Sequence, residues 1–415
     1  MGRPLGGGTP GNESPLRSPS VSSARKLTLA LGAALLVVLA SAPSAAANRQ
    51  GRWLLTGASS VSNTYWQGLA SDPPDENLYF VGVFEGLWRT TPSLRQTAGV
   101  ANAIPPAVTA TEGYNHIGDP TWNPGEGGRL ILPLECFSPT AGNTCGTGAF
   151  GVADPATLAF RYYVKLDPAQ IAKAMWAETS PNGALIWTSS GDDLLAYRSS
   201  DVSAANAGPG GPLLRYVRRL PGAVPPGGVT GAVFRHRRLL LAGVHDRSFE
   251  IWSVDTRSGE RRLEVRKTIC GESEGLGMIP TLDGRLHWLI APFAPGCELT
   301  FGPSSALLHL VPRRGHGGLE VRVLGVTRAQ IPGRVVARVR VTRGDRPLRH
   351  AWVRFADGEA RTNAKGRARI ATTLEVPGRF KAYARKRRRY GLSDLVPVGI
   401  ASTAAQAPAP RSDAG

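Results

Sequence analysis

Six polar residues, Gln67, His116, Asp119, Glu178, Thr230 and Glu274, open short segments that each pass a polar turn and climb into an apolar run. Their side chains are rich in oxygen, and hard oxygens in sets of about six to eight suit a calcium ion. Glu135 is a seventh candidate, because it interrupts the apolar Leu132-Pro-Leu run and a carboxylate there must be paired, metal-bound or at a strand end. The competing reading has the same groups hydrogen-bonding to one another and to channel water, with no cation. Other chemistry is thinner. No Gly-x-Ser-x-Gly elbow occurs, which removes that class of serine hydrolase. Gly146-Thr-Gly148-Ala-Phe-Gly151 matches a dinucleotide fingerprint, but it runs into a strand, whereas the phosphates of that site need a helix N-terminus. His245 and Asp246 would make an acid–base pair, yet neighbours on one strand face opposite sides. His287, in Leu-His-Trp-Leu, reads as a packed strand residue.

The segments that carry the six residues recur about every fifty positions between Trp66 and Leu310. Trp66-Gln-Gly-Leu-Ala leads to Asn77-Leu-Tyr-Phe-Val, and Val229-Thr-Gly-Ala-Val leads to Arg238-Leu-Leu-Leu-Ala. Repeats of this length, each made of a few short strands, are the signature of β-propeller blades. The chain is therefore expected to be all-β, with a propeller of five to six blades. The sixth would be a degenerate one in 90–112, and Arg52-Trp-Leu-Leu-Thr56 would complete the last blade and close the ring. Innermost strands begin at the repeated phrase, so its polar residues are predicted to ring one mouth of the axial channel. Asp154 and Asp255 read as turn caps, since short carboxylates accept bonds from nearby backbone amides.

This grammar, typified by Ser180-Pro-Asn-Gly-Ala-Leu-Ile-Trp-Thr, resembles the exported propellers of the YVTN-type and gluconolactonase-like (SMP-30-like) group over about residues 52–312. Gluconolactonase-like members hold a divalent cation at the axis with a glutamate, asparagines and an aspartate. The resemblance thus implies a metal-dependent lactonase-type hydrolase as the alternative to a non-enzymatic binding protein. Their motifs do not map onto this chain position by position, so no metal ligand carries over.

Behind the repeats stands a second module. Gly344 to Val353, Thr362-Asn-Ala-Lys-Gly366 and Gly378-Arg-Phe-Lys-Ala382 resemble the strand pair, turn and closing strand of carboxypeptidase regulatory-like and bacterial Ig-like modules. That implies a small Ig-like β-sandwich over 319–400, without catalysis. In it Val335, Ala337, Val339 and Val341 alternate with charge, which predicts a sheet with one buried face and one wet face bearing Arg334, Arg338 and Arg340. Arg385-Lys386-Arg387-Arg388-Arg389 is expected at a hairpin loop.

Charge separates the two modules. The chain carries a net +18, and residues 319–400 hold 20 Lys and Arg against 6 Asp and Glu, a net +14. The wet face is therefore expected to contact an anionic cell-surface polymer, acidic lipid or polysaccharide. Nucleic acid is not expected, because no row of aromatics is interleaved for base stacking. Residues 1–47 read as an export signal: Arg25-Lys26, then an apolar stretch from Leu27 to Ala40, then Ala45-Ala-Ala47. Cleavage there, rather than a retained anchor, is expected, with no later membrane span and a secreted or cell-surface location. The mature organisation is then a propeller over 48–312, a linker over 313–318, the sandwich, and a disordered tail over 401–415. The four cysteines suit two disulfides in an oxidising compartment. Cys136 with Cys145 and Cys270 with Cys297 is the favoured pairing.

Overall fold

The computed structural model describes residues 52–400 apart from 75, 83, 269–270, 280–283, 292–303 and 328–329. The expected leader, the tail and the Cys270–Cys297 pairing lie outside the described residues.

Short runs rich in β-branched and aromatic residues form antiparallel sheets, one after another along the chain. The first sheet takes Gly68–Ser71, Leu78–Val81, Leu87–Thr90 and Gln96–Val100 in order. In the second, His116–Ile117 and Thr121–Asn123 both pair with Arg129–Glu135, which is followed by Ala149–Ala153 and Phe160–Lys165. The third runs Glu178–Thr179, Leu185–Ser190, Asp193–Arg198, Arg218–Leu220. The fourth runs Gly231–Arg235, Arg238–His245, Ser248–Asp255, Arg261–Lys267. The fifth uses Glu272–Ile279, Arg285–Ala291 and Ser305–Pro312, and is completed from the other end of the described chain by Trp53–Val61. Trp53 lies opposite Pro312 and Val61 opposite Ser305, so the closing strand expected near residue 52 is in place.

The first strands of neighbouring sheets pack against one another in a closed cycle, first to second to third to fourth to fifth and back to the first. Sheets arranged radially about a shared axis make a β-propeller. Residues 90–112 form no separate sheet: they supply the first sheet's last strand, Gln96–Val100, and the helix Pro106–Glu112. The helix starts on Pro106 and ends at Gly113, whose φ of 81° is the left-handed conformation that terminates helices at low cost. Asp154 and Asp255 cap their turns, accepting from the Ala156 and Thr157 amides and from the Arg257 amide, each at 2.8 Å. Cys136 and Cys145 are joined, pinning a loop closed over nine positions. Gly151 lies in a strand, as its sequence context requires.

Residues beyond 319 form two facing sheets. One places Glu320–Val326 and Arg367–Leu374 on either side of the long strand Gly333–Arg343. The other runs Gly358–Arg361, Trp352–Phe355, Ala382–Lys386, Arg389–Leu392. Val335, Val339, Val353, Phe355 and Ile370 fill the space between them.

The two parts are not strung on a free linker. Gly378–Phe380 pairs with Trp53–Val61, and Val396–Val398 pairs with Gly378–Phe380, so the propeller's last sheet continues into the C-terminal part as six strands. Arg285, buried at this junction, pairs with Asp357 and donates to the Ala356 carbonyl at 2.9 Å.

Candidate functional site

The recurring phrase owes its glycines to the crowding at the axis. A Cβ on Gly275 would stand 2.2 Å from the Leu69 amide nitrogen, and one on Gly118 would stand 1.9 Å from the Met175 carbonyl oxygen. Only glycine lets these inner strands touch backbone to backbone. The approach brings one carboxylate within reach of several sheets. Asp119, with no solvent exposure, accepts from the Leu69 amide of the first sheet at 2.7 Å and from the Ala232 amide of the fourth at 2.8 Å. Its own backbone bonds the third sheet's leading segment, N–H to the Met175 carbonyl and carbonyl from the Ala177 amide, each at 2.9 Å. Burial drives its carboxyl pKa well up, opposed by the amides of Leu69, Ala232 and Leu276. Asp119 is therefore a structural pin at the axis.

The other predicted axial residues divide around it. Gln67, Thr230 and Glu274 gather at the starts of their strands: Gln67 Nε2 donates to Glu274 Oε2 at 3.2 Å, and Thr230 Oγ1 lies 3.2 Å from Ser273 Oγ. Burial, then the Glu272 and Asp119 charges, hold the Glu274 carboxyl well above its ordinary range, and its Oε1 has no hydrogen-bond partner among the described residues. Glu178 sits with the opposite ends of the inner strands. It accepts from the Thr121 hydroxyl at 2.7 Å through one oxygen and from the Phe234 amide at 2.7 Å through the other. Burial pushes its carboxyl up to about 7 against those two bonds. His116 and Glu135 are directly opposite one another within the second sheet, with Nδ1 2.8 Å from Oε1 but outside hydrogen-bond geometry; neither lines the cavity at the Glu178 end. Among the described residues no three of His, Cys, Asp and Glu converge so as to hold a metal ion. Asp119, Glu178 and Glu274 are each engaged by different partners and form no shared acidic cluster among the described residues.

Around Glu178 the inner strands splay into a mouth of about 270 Å³ to which all five sheets contribute. Ser71 comes from the first sheet, Trp122 from the second, Phe234 and His236 from the fourth and Met278 from the fifth. An apolar wall with a few convergent polar groups is the usual make-up of a small-ligand site. The aromatic members were not legible as site residues, because Trp122 and Phe234 look like any strand aromatic until ring closure turns their ends to a common space.

His245 and Asp246 do meet, with Nε2 3.6 Å from Oδ2. Opposite-facing neighbours were expected, but Asp246 and Arg247 have φ of 47° and 60°, so the pair sits at a tight hairpin turn and not within the strand. His287 is packed as expected, edge-on to His309 at 4.9 Å beside the junction with the C-terminal sheets.

On the C-terminal part, Arg334, Arg338 and Arg340 are exposed while Val335, Ala337, Val339 and Val341 are buried, as alternation requires. The register adds more. Arg322, Arg340 and Arg367 stand abreast on three adjacent strands, and Arg338 faces Arg369. Like charges directly opposite are destabilising in a sheet, and none of these five makes an ion pair with an acid among the described residues. In the hairpin, Arg387 takes φ 54° at the turn, and Arg387, Arg388 and Arg389 are exposed. Arg385 lies over the Trp352 ring at 5.0 Å, while Lys386 donates to the Arg349 carbonyl and lines one surface with Arg387, Arg388 and Arg389. No helix among the described residues is long and apolar enough to cross a membrane.

No family model matches this chain, and no curated protein matches it in sequence. Solved structures give distant likenesses. A glucose dehydrogenase is 10% identical with a TM-score of 0.37, over 62% of this chain and 98% of the other. A luciferin-regenerating enzyme is 14% identical with a TM-score of 0.36, over 61% and 94%. The PQQ-bound aldose sugar dehydrogenase of Streptomyces coelicolor is 9% identical with a TM-score of 0.34, over 63% and 98%. Likenesses of this degree carry no argument about activity, and the propeller assignment rests on the sheet cycle itself.

Proposed function

We propose that this chain is an extracytoplasmic binding protein, a five-bladed propeller followed by an Ig-like sandwich that engages an anionic surface polymer. Each of the propeller's five sheets is read as one blade, with the axial mouth as the place for a small ligand. The observation that carries the reading is the arginine grid. Five guanidinium groups stand in facing rows with no ion pair to an acid among the described residues, only Glu320 and Asp345 sharing a pocket with two of them, and such a positive field favours an anionic contact. The near-neutral propeller and the +14 of residues 319–400 set the polarity of the molecule, and the six-stranded shared sheet would hold the mouth in a fixed orientation to the tethered surface.

The test is retention of the full chain on immobilised heparin along a salt gradient, with Arg338→Glu/Arg340→Glu/Arg369→Glu beside it. The substitutions should lower the eluting salt and flatten the salt dependence, since each removed contact releases fewer counterions. Elution at unchanged salt would refute the grid as the contact.

A further inference from the structure

A second concave surface lies on the first sheet, away from both the axial mouth and the arginine grid. It is an open groove of about 600 Å³. Its floor is Trp88, whose indole is held flat by glycines: a Cβ on Gly86 would fall 1.9 Å from the ring and one on Gly99 2.5 Å from it. Tyr65 braces the ring at 5.6 Å and is itself fixed by its hydroxyl bond to Gln96 at 2.8 Å. Beside this ring stand Trp66, half-buried, and Phe84, a large apolar side chain that is 50% exposed.

The polar rim has a specific chemistry. Asn63 and Asn102 are exposed, line the groove, and have amides that make no hydrogen bond among the described residues. Glu85 adds a carboxyl whose pKa burial raises and that, among the described residues, takes only a long 3.5 Å bond from the Thr109 hydroxyl. Among the described residues no Lys or Arg lines the groove, although the chain carries 49 of them. The site thus lacks what an anion needs. Flat aromatic faces suit the C–H faces of a pyranose ring, and a free amide, with donor and acceptor side by side, matches vicinal hydroxyls.

We propose that this groove binds a neutral oligosaccharide, stacked on Trp88 and Phe84 and hydrogen-bonded by Asn63, Asn102 and Glu85. The inference is independent of the arginine grid. It is tested on the full chain with cellotetraose, maltotetraose and tetra-N-acetylchitotetraose as probes, followed by tryptophan fluorescence and calorimetry. At least one should bind with a Kd of about 10 μM to 1 mM. Phe84→Ala and Asn102→Ala, both at exposed positions whose loss spares the core, should each weaken that binding by about tenfold. The arginine triple variant should bind the sugar as the unchanged protein does. Absence of binding of all three probes at about 10 mM, or equal binding by both groove variants, would overturn the proposal. Capture of an aromatic-rich peptide that Phe84→Ala abolishes, with no sugar bound, would also overturn it and assign the groove to a protein partner.

Discussion

Replacing Asp119 tests whether one buried carboxylate joins the inner strands. In Asp119→Ala both acceptors vanish, and the Leu69 and Ala232 amides, at residues 0% and 1% exposed, are left where water has no access. An unsatisfied buried donor costs about 1–3 kcal/mol, so two cost about 2–6 kcal/mol. That is a large share of the roughly 5–15 kcal/mol by which domains are stable. Asp119→Asn keeps one acceptor but turns an NH2 group toward the other amide, so its loss should be about half as large. Urea unfolding followed by tryptophan fluorescence reads both, with the slope checked to be constant across variants. The two partner amides lie 50 and 113 positions from Asp119, so the cost should register as global unfolding and not as local fraying. If Asp119→Ala unfolds within about 0.5 kcal/mol of the unchanged protein, the carboxylate is not a pin.

Other expectations follow from the same interactions. Glu178 has a folded pKa raised from 4.5 to about 7, so the native state holds its proton where the unfolded chain has lost it. Its contribution should be fully present below about pH 4.5 and lost as pH rises through 7; Glu178→Gln should remove up to about 3 kcal/mol of that pH dependence, measured as the difference between the two unfolding curves from pH 4 to 8. His287 is buried with neither ring nitrogen bonded among the described residues, and burial followed by the His309 and Arg285 charges drives its pKa well down. Its unfolded form takes the proton first as pH falls below about 6.5, so His287→Leu should be neutral near pH 8 and stabilising at pH 5, read by thermal melts. Opening the Cys136–Cys145 bridge by a double serine substitution should cost about 2–3 kcal/mol in urea unfolding, as expected for a loop closed over nine positions.

The local grammar was legible because its causes are local. Alternation over Gly333–Arg343 needs only the period of a strand, so the buried valines and exposed arginines could be assigned without a partner strand. The caps at Asp154 and Asp255 bond amides two or three positions away. Cys136 and Cys145 are near neighbours in the chain. The same economy misled at His245-Asp246, where a turn with two left-handed residues replaced the extended strand assumed for the pair.

What the amino-acid sequence determined by itself was a repeated β grammar, a closing strand at Trp53, and the concentration of charge in residues 319–400. What only the tertiary structure decided was which ends meet. Asp119 became a pin, Glu178 a buried acid at a mouth, and Gln67 and Glu274 a pair beyond it, because ring closure sets how deep each inner strand runs along the axis. Arg322, Arg340 and Arg367 became one row through strand register, which no single strand's pattern specifies. The shared six-stranded sheet has the same origin: Trp53–Val61 offers a second hydrogen-bonding edge, and the pairing with Gly378–Phe380 is a long-range event.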